Sequence, residues 1–165
     1  MRLLDAGLRH HFLRYLWQSL AAGAVILVVL VLLDEVQQTA IIAALGASAF
    51  IVFAAPRSYS AKPRAILGGY AVGTICGIAA MELVAAFTSC GAEWNIWRAV
   101  AGAGAVALSL FLMTVTDTEH PPAAGLGLAF VLNPWDFATV AVVLGAAGLL
   151  TLAGRLLKRW LLDLV

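Results

Sequence analysis

Charge is scarce in this sequence. Only 12% of its 165 residues are Asp, Glu, Lys or Arg, against about 25% in soluble domains. With 63% of the chain hydrophobic, too little polar surface remains to cover a core in water. Cysteine is nearly missing: Cys76 and Cys90 have no metal-ligand spacing and exclude a disulfide framework. A basic surplus is missing too, since ten Lys and Arg stand against nine Asp and Glu. That balance argues against a nucleic-acid partner. No nucleophile–base pair, phosphate loop, dinucleotide fingerprint or metal-binding spacing occurs, so neither an enzyme nor a cofactor is expected. What the chain does have is long apolar runs, with a mean hydropathy of +0.98. It reads as an all-α, polytopic membrane bundle in one domain, residues 1–165, whose first partner is the lipid bilayer.

A helix crosses the roughly 30 Å hydrocarbon layer with about 20 apolar residues. The pattern predicts six segments: Leu16–Leu33, Thr39–Ala55, Ala65–Phe87, Trp97–Val115, Ala123–Leu132 and Phe137–Leu157. The breaks fall at Asp34-Glu35, Pro56-Arg57, Cys90-Gly91, His120-Pro121-Pro122 and Asn133-Pro134. The fifth is short, so five or six crossings fit by length. Charge placement favours six, because cations concentrate on cytoplasmic loops. With both termini inside, Arg2, Arg9, Arg14, Arg57, Lys62, Arg64, Arg155, Lys158 and Arg159 lie inside and only Arg98 outside. Trp17, Trp94, Trp97, Trp135 and Trp160 fall at span ends, as headgroup-level rings do. The basic N-terminus precedes a run with no small-residue cleavage pattern, which marks a retained first helix rather than a signal peptide. A bacterial-type inner membrane is the expected location.

The six segments divide into two groups of three. Asp34 corresponds to Asp117, Pro56 to Pro134, and Ala49-Phe50-Ile51-Val52 to Ala129-Phe130-Val131-Leu132. Three crossings per unit is odd, so such repeats would be inverted, with short or broken second and fifth helices flanking a site near the midplane.

The sharpest chemical feature is Thr116-Asp117-Thr118-Glu119-His120-Pro121-Pro122-Ala123. Two prolines stop one helix and suit the first turn of the next. A fifth helix covering about 15–21 Å at 1.5 Å per residue requires the stretch before it to dip into the membrane. Non-helical backbone at that depth survives only beside protein or water. The helix start would then offer N–H groups to an anion, with His120 adding a proton or hydrogen bond. A plain cytoplasmic turn is the alternative. Gly46-Ala47-Ser48-Ala49 in the second span fits pore lining or close packing. Gly69, Gly73 and Gly77 form a ladder marking close helix contact, within the chain or with a partner. Arg64 is either a positive-inside charge or an attractor of anions to the inner mouth. Glu82 near the end of the third span fits an interfacial anchor or a functional carboxylate.

His120-Pro121-Pro122-Ala123, with Gly125 close by, resembles the signature of the HPP family of integral membrane proteins. Gly46-Ala47-Ser48-Ala49, Phe53, Pro56, Pro63-Arg64 and Gly68-Gly69 resemble that family's other recurrent block. Together they span roughly residues 40 to 135. Two departures stand out: Ser58-Tyr59 replaces the usual Ser-Pro, and the glycine after the alanine is delayed to Gly125. The resemblance implies membrane transport of a small inorganic anion, nitrite first. The substrate-binding residues would be His120, Pro121, Pro122 and Ala123, with Ser48, Gly46 and Arg64. A homo-oligomer would suit so small a bundle. The rival expectation is a non-transporting assembly subunit that binds partner helices through the glycines of the third span.

Overall fold

The computed structural model describes residues 8–32, 39–88 and 94–164. The breaks at Asp34-Glu35 and Cys90-Gly91, and Arg2, lie outside the described residues. Among the described residues six helices follow one another: α1 (Leu8–Leu32), α2 (Thr39–Ala54), α3 (Pro63–Thr88), α4 (Trp94–Val115), α5 (Pro121–Leu132) and α6 (Phe137–Leu157). A 3-10 turn, Tyr59–Ala61, precedes α3. The chain is a helical membrane bundle, as expected. α1 begins at Leu8 rather than Leu16, because the polar turns before the apolar run carry no helix breaker. Pro63 and Pro121 each open a helix, where a missing N–H costs nothing.

Helices α3, α4 and α6 have the length and apolarity of full crossings, over Pro63–Ala86, Ile96–Val115 and Phe137–Leu157. α2 and α5 are short, about 24 and 18 Å at 1.5 Å per residue. Contacts at the helix ends fix their directions. At one end the Trp17 and Trp160 rings meet edge to face at 6.4 Å, Leu164 N–H donates to the Ala54 carbonyl at 2.8 Å, and Arg64 reaches the Thr116 carbonyl at 2.9 Å. At the other, Trp135 Nε1 donates to Glu82 at 3.1 Å and Arg98 holds the Val131 and Leu132 carbonyls. Successive helices therefore alternate in direction. Among the described residues the first end gathers Arg14, Arg57, Lys62, Arg64, Arg155, Lys158 and Arg159, and the second holds Arg98.

α5 is apolar all round and is enclosed by α2, α3 and α4, as such a helix must be. Leu45, Phe53, Ile66, Leu126, Phe130 and Leu150 fill the space between α2, α3, α5 and α6. The packing has an internal correspondence. α1 lies against α2 and α6, and α4 lies against α5 and α3. α3 packs on α5 as α6 packs on α2, and the pairs α2–α5 and α3–α6 complete the set.

The glycine ladder of α3 faces α5 of the same chain. A Cβ on Gly73 would collide with the Ala123 carbonyl, and one on Gly77 would stand 2.5 Å from the Gly127 carbonyl oxygen. The α3 glycines thus let two backbones touch. This face is occupied from within, so it is not the partner-binding surface weighed above.

Candidate functional site

The loop between α4 and α5 is built to turn inward. α4 closes with Thr118 N–H on the Met113 carbonyl at 2.9 Å and Asp117 N–H on Thr114 at 3.4 Å. This is a Schellman cap, with Asp117 in the left-handed conformation (φ 57°) that glycine usually takes. Tyr59 Oη donates to the Asp117 carbonyl at 2.7 Å, holding the reversal from the opposite loop. Asp117 and burial together push the Tyr59 phenol above its ordinary value, burial first. Thr118 and His120 then seat on Gly68 and Gly69. A Cβ on Gly68 would lie 2.5 Å from Thr118 Cγ2, and one on Gly69 2.7 Å from His120 Cβ.

His120 enters the bundle as the residue capping α5 in extended conformation, and its side chain does not cap the helix. It is completely buried. Nδ1 lies 2.8 Å from the Ser60 carbonyl oxygen and Nε2 lies 2.8 Å from Ser48 Oγ. Ser48, also completely buried, is 2.7 Å from Tyr70 Oη and 3.0 Å from the Ala44 carbonyl oxygen. Ser48 and Tyr70 stand six and seven residues from the near ends of α2 and α3. That places the cluster about 10 Å inside that end of the bundle.

Donor and acceptor roles follow from the atoms. A carbonyl only accepts, so Nδ1 carries a proton and donates to Ser60. In the neutral ring Nε2 is then an acceptor, so Ser48 donates to it and Tyr70 donates to Ser48. When Nε2 gains a proton it donates to Ser48 Oγ, and the serine hydroxyl turns to Ala44. The cluster keeps its hydrogen bonds in both states because Ser48 has two acceptors within reach.

The other expected residues are distributed around this centre. Ala123 is buried beneath Gly73, Pro122 is half-buried and Pro121 exposed. Arg64 lies on the surface, bonded to the Thr116 carbonyl and 3.9 Å from Asp117. Gly46 faces open space on the outside of α2, away from His120. The backbone at the start of α5 offers few donors: Pro121 and Pro122 have no N–H, and Ala123 N–H bends back to the His120 carbonyl at 2.9 Å. Any polar ligand there depends on the side chains of Ser48, Tyr70 and His120. Among the described residues no group of three His, Cys, Asp or Glu could hold a metal ion.

Tyr70 and Ser60 were not foreseen. Tyr70 sits between Gly69 and Gly73 in an apolar run, and its hydroxyl was the available signal, since a buried phenol requires a partner. Ser60 contributes only its carbonyl, for which no side-chain pattern exists.

The family model described as HPP, transmembrane region, matches residues 8–160. The chain belongs to the HPP family. The match covers all six helices, so the His-Pro-Pro turn and the Ser48 block lie in one family domain. Membership makes this an integral membrane protein with a transporter-like role. No curated protein and no solved structure matches the chain.

Proposed function

We propose that this HPP protein carries a small inorganic anion, nitrite first, across the membrane by way of the His120 turn. One observation carries the reading: a saturated polar cluster, Tyr70–Ser48–His120, buried where three helices and the inward-turned loop meet. A polar cluster in hydrocarbon is costly, and such groups in membrane bundles mark substrate or proton paths. Its geometry suits an anion. Ser48 Oγ occupies a point that Tyr70 Oη and a protonated His120 Nε2 can both address, within 2.7 and 2.8 Å. An anion oxygen taking that point, with the Ser48 side chain moved to another rotamer, receives both donors, and His120 brings the proton that balances the charge. The choice of nitrite rests on the resemblance of the His-Pro-Pro block.

The correspondence of helix neighbours between α1–α3 and α4–α6 supports reading the halves as inverted repeats. The gathering of cations at the His120 end supports a cytoplasmic assignment for that end, with both termini inside an inner membrane.

The test is nitrite entry into liposomes holding the purified protein, followed by an internal pH dye against nitrate, formate and protein-free vesicles. Saturable, protein-dependent entry that falls at least tenfold in His120→Ala is expected. His120→Asn, whose shorter amide can still donate to the Ser60 carbonyl but cannot take up a proton, controls for folding. Entry no faster than in empty vesicles from folded protein, or equal entry by His120→Ala, overturns the proposal.

A further inference from the structure

A concavity lies at the same end of the bundle as the polar cluster, between the end of α2, the start of α3 and the end of α6. It has a volume of about 230 Å³ and does not include His120, Ser48 or Tyr70. Lys62, Arg155 and Lys158 line it, and no acidic residue does. Val52, Ile66 and Leu150 form an apolar floor. Among the described residues the ion pair is Arg64 with Asp117, so none of these three cations faces a carboxylate. Lys62 is held in place by the Tyr59 ring, with Nζ 4.4 Å from its centroid.

Three like charges around one hollow repel each other, and a bound anion removes that repulsion. A phosphate group, even the singly charged diester of a lipid headgroup, presents several oxygens on one centre for the three cations to share, and Arg155 can meet two of them with its planar fork. The apolar floor adds contact for the carbon skeleton that carries the phosphate. The hollow holds several times the volume of one water, about 30 Å³. Basic pockets between membrane helices at a charged leaflet commonly receive lipid headgroups.

We infer that this hollow is a binding site for a phosphate-bearing anion, with its oxygens on Lys62, Arg155 and Lys158 and its carbon skeleton on Val52, Ile66 and Leu150. The inference is independent of the transport reading, because no residue is shared between the sites. An anionic phospholipid headgroup and a free phosphate have this chemistry in common.

The experiment is a titration of the full-length purified protein, in zwitterionic detergent, with phosphatidylglycerol, phosphatidylcholine and inorganic phosphate. Native mass spectrometry counts the bound molecules. Saturable binding of phosphatidylglycerol over phosphatidylcholine is expected. It should weaken roughly fivefold for Arg155→Gln and about a hundredfold when Lys62, Arg155 and Lys158 are all changed to Gln. Competition by inorganic phosphate assigns the site to the phosphate group alone, and its failure to compete assigns it to the lipid. Arg159→Gln is the control, since Arg159 lines a different hollow with Arg14 and Trp160. Equal phosphatidylglycerol affinity in the wild type and the triple variant overturns the inference. So does a loss in Arg159→Gln as large as in Arg155→Gln.

Discussion

Gly73 of α3 and Ala123 of α5 meet backbone against backbone, with no room for a Cβ between them. This contact lies immediately below His120 and fixes how far α5 reaches into the bundle. Gly69 and Gly77 extend the same seam one turn either way. The depth of the polar cluster is therefore set by small residues on α3 that have no chemistry of their own.

Replacing Gly73 with Ala should separate α3 from α5. The added methyl meets a carbonyl rather than a flexible side chain, so the backbone must move. Overpacking of this kind costs about 1–3 kcal/mol or more. Gly145→Ala in α6 is the matched control, since a Cβ there meets nothing within 4 Å. Thermal unfolding in detergent should show a clear loss for the first variant and none for the second.

Arg98 should matter for α5 although it belongs to α4. Its guanidinium donates to the Val131 and Leu132 carbonyls at the C-terminal end of α5, where four carbonyls lack helical partners. Charged hydrogen bonds of this type contribute about 1.5–3 kcal/mol. Arg98→Met is expected to lower the unfolding temperature, and Arg98→Lys to recover only part, because an ammonium lacks the fork. Unfolding midpoints of the two variants check the ranking.

The helix order was legible because its punctuation is chemical. Pro56, Pro63, the Pro121-Pro122 pair and Pro134 interrupt apolar runs, and the structure starts or stops helices within a few residues of each. Ser48 and His120 were legible as candidates because hydroxyl and imidazole groups are conspicuous in an apolar chain. The expected site already joined the two, but their direct hydrogen bond at 2.8 Å, across seventy-two positions, was not legible, because only the packing of α2 on α5 creates it. Gln18 was overlooked. It sits beside Trp17 at a span end, where a polar residue reads as interfacial, yet it is almost fully buried.

Gln18 ties three segments together. Its Nε2 donates to the Phe53 carbonyl at 2.6 Å and to Leu162 at 2.9 Å, and its Oε1 accepts from Leu162 N–H at 3.1 Å. It thus caps the end of α2 and pins the tail that follows α6. Gln18→Ala leaves a buried carbonyl without its partner, at a cost of about 1–3 kcal/mol. Deleting residues 161–165 removes part of the same set. The two changes together should cost less than their sum, which a double-mutant cycle of unfolding free energies would reveal.

Asp136 caps α6, and its carboxylate accepts from Thr139 N–H at 2.7 Å. Hydrogen bonding from the Thr139 side chain and backbone holds its carboxyl below the ordinary carboxylate value. A folded value below the unfolded one stabilises the protein above the ordinary range, and the gain fades as pH falls through the lowered value. Asp136→Ala should therefore unfold earlier than the wild type at pH 7, with the gap closing under strong acid. Asp136→Asn keeps an acceptor and should lose less. Melting curves from pH 7 down to about pH 2 test both statements.

The polar cluster predicts an asymmetry between its own members. Tyr70→Phe removes one donor, while Ser48 still donates to His120 Nε2, so the loss should be near 1 kcal/mol. Ser48→Ala removes the acceptor for Tyr70 and the donor for His120 together. Two buried groups are then unsatisfied, at about 1–3 kcal/mol each. The double variant leaves only His120 Nε2 without a partner, so it should be more stable than Ser48→Ala alone. Few pairs of substitutions behave this way, since adding a second change normally adds a second loss. Unfolding measurements on the three variants decide it. A double variant less stable than Ser48→Ala would mean that the Tyr70 hydroxyl finds another partner once Ser48 is gone, so that its 2.7 Å contact with Ser48 is replaceable.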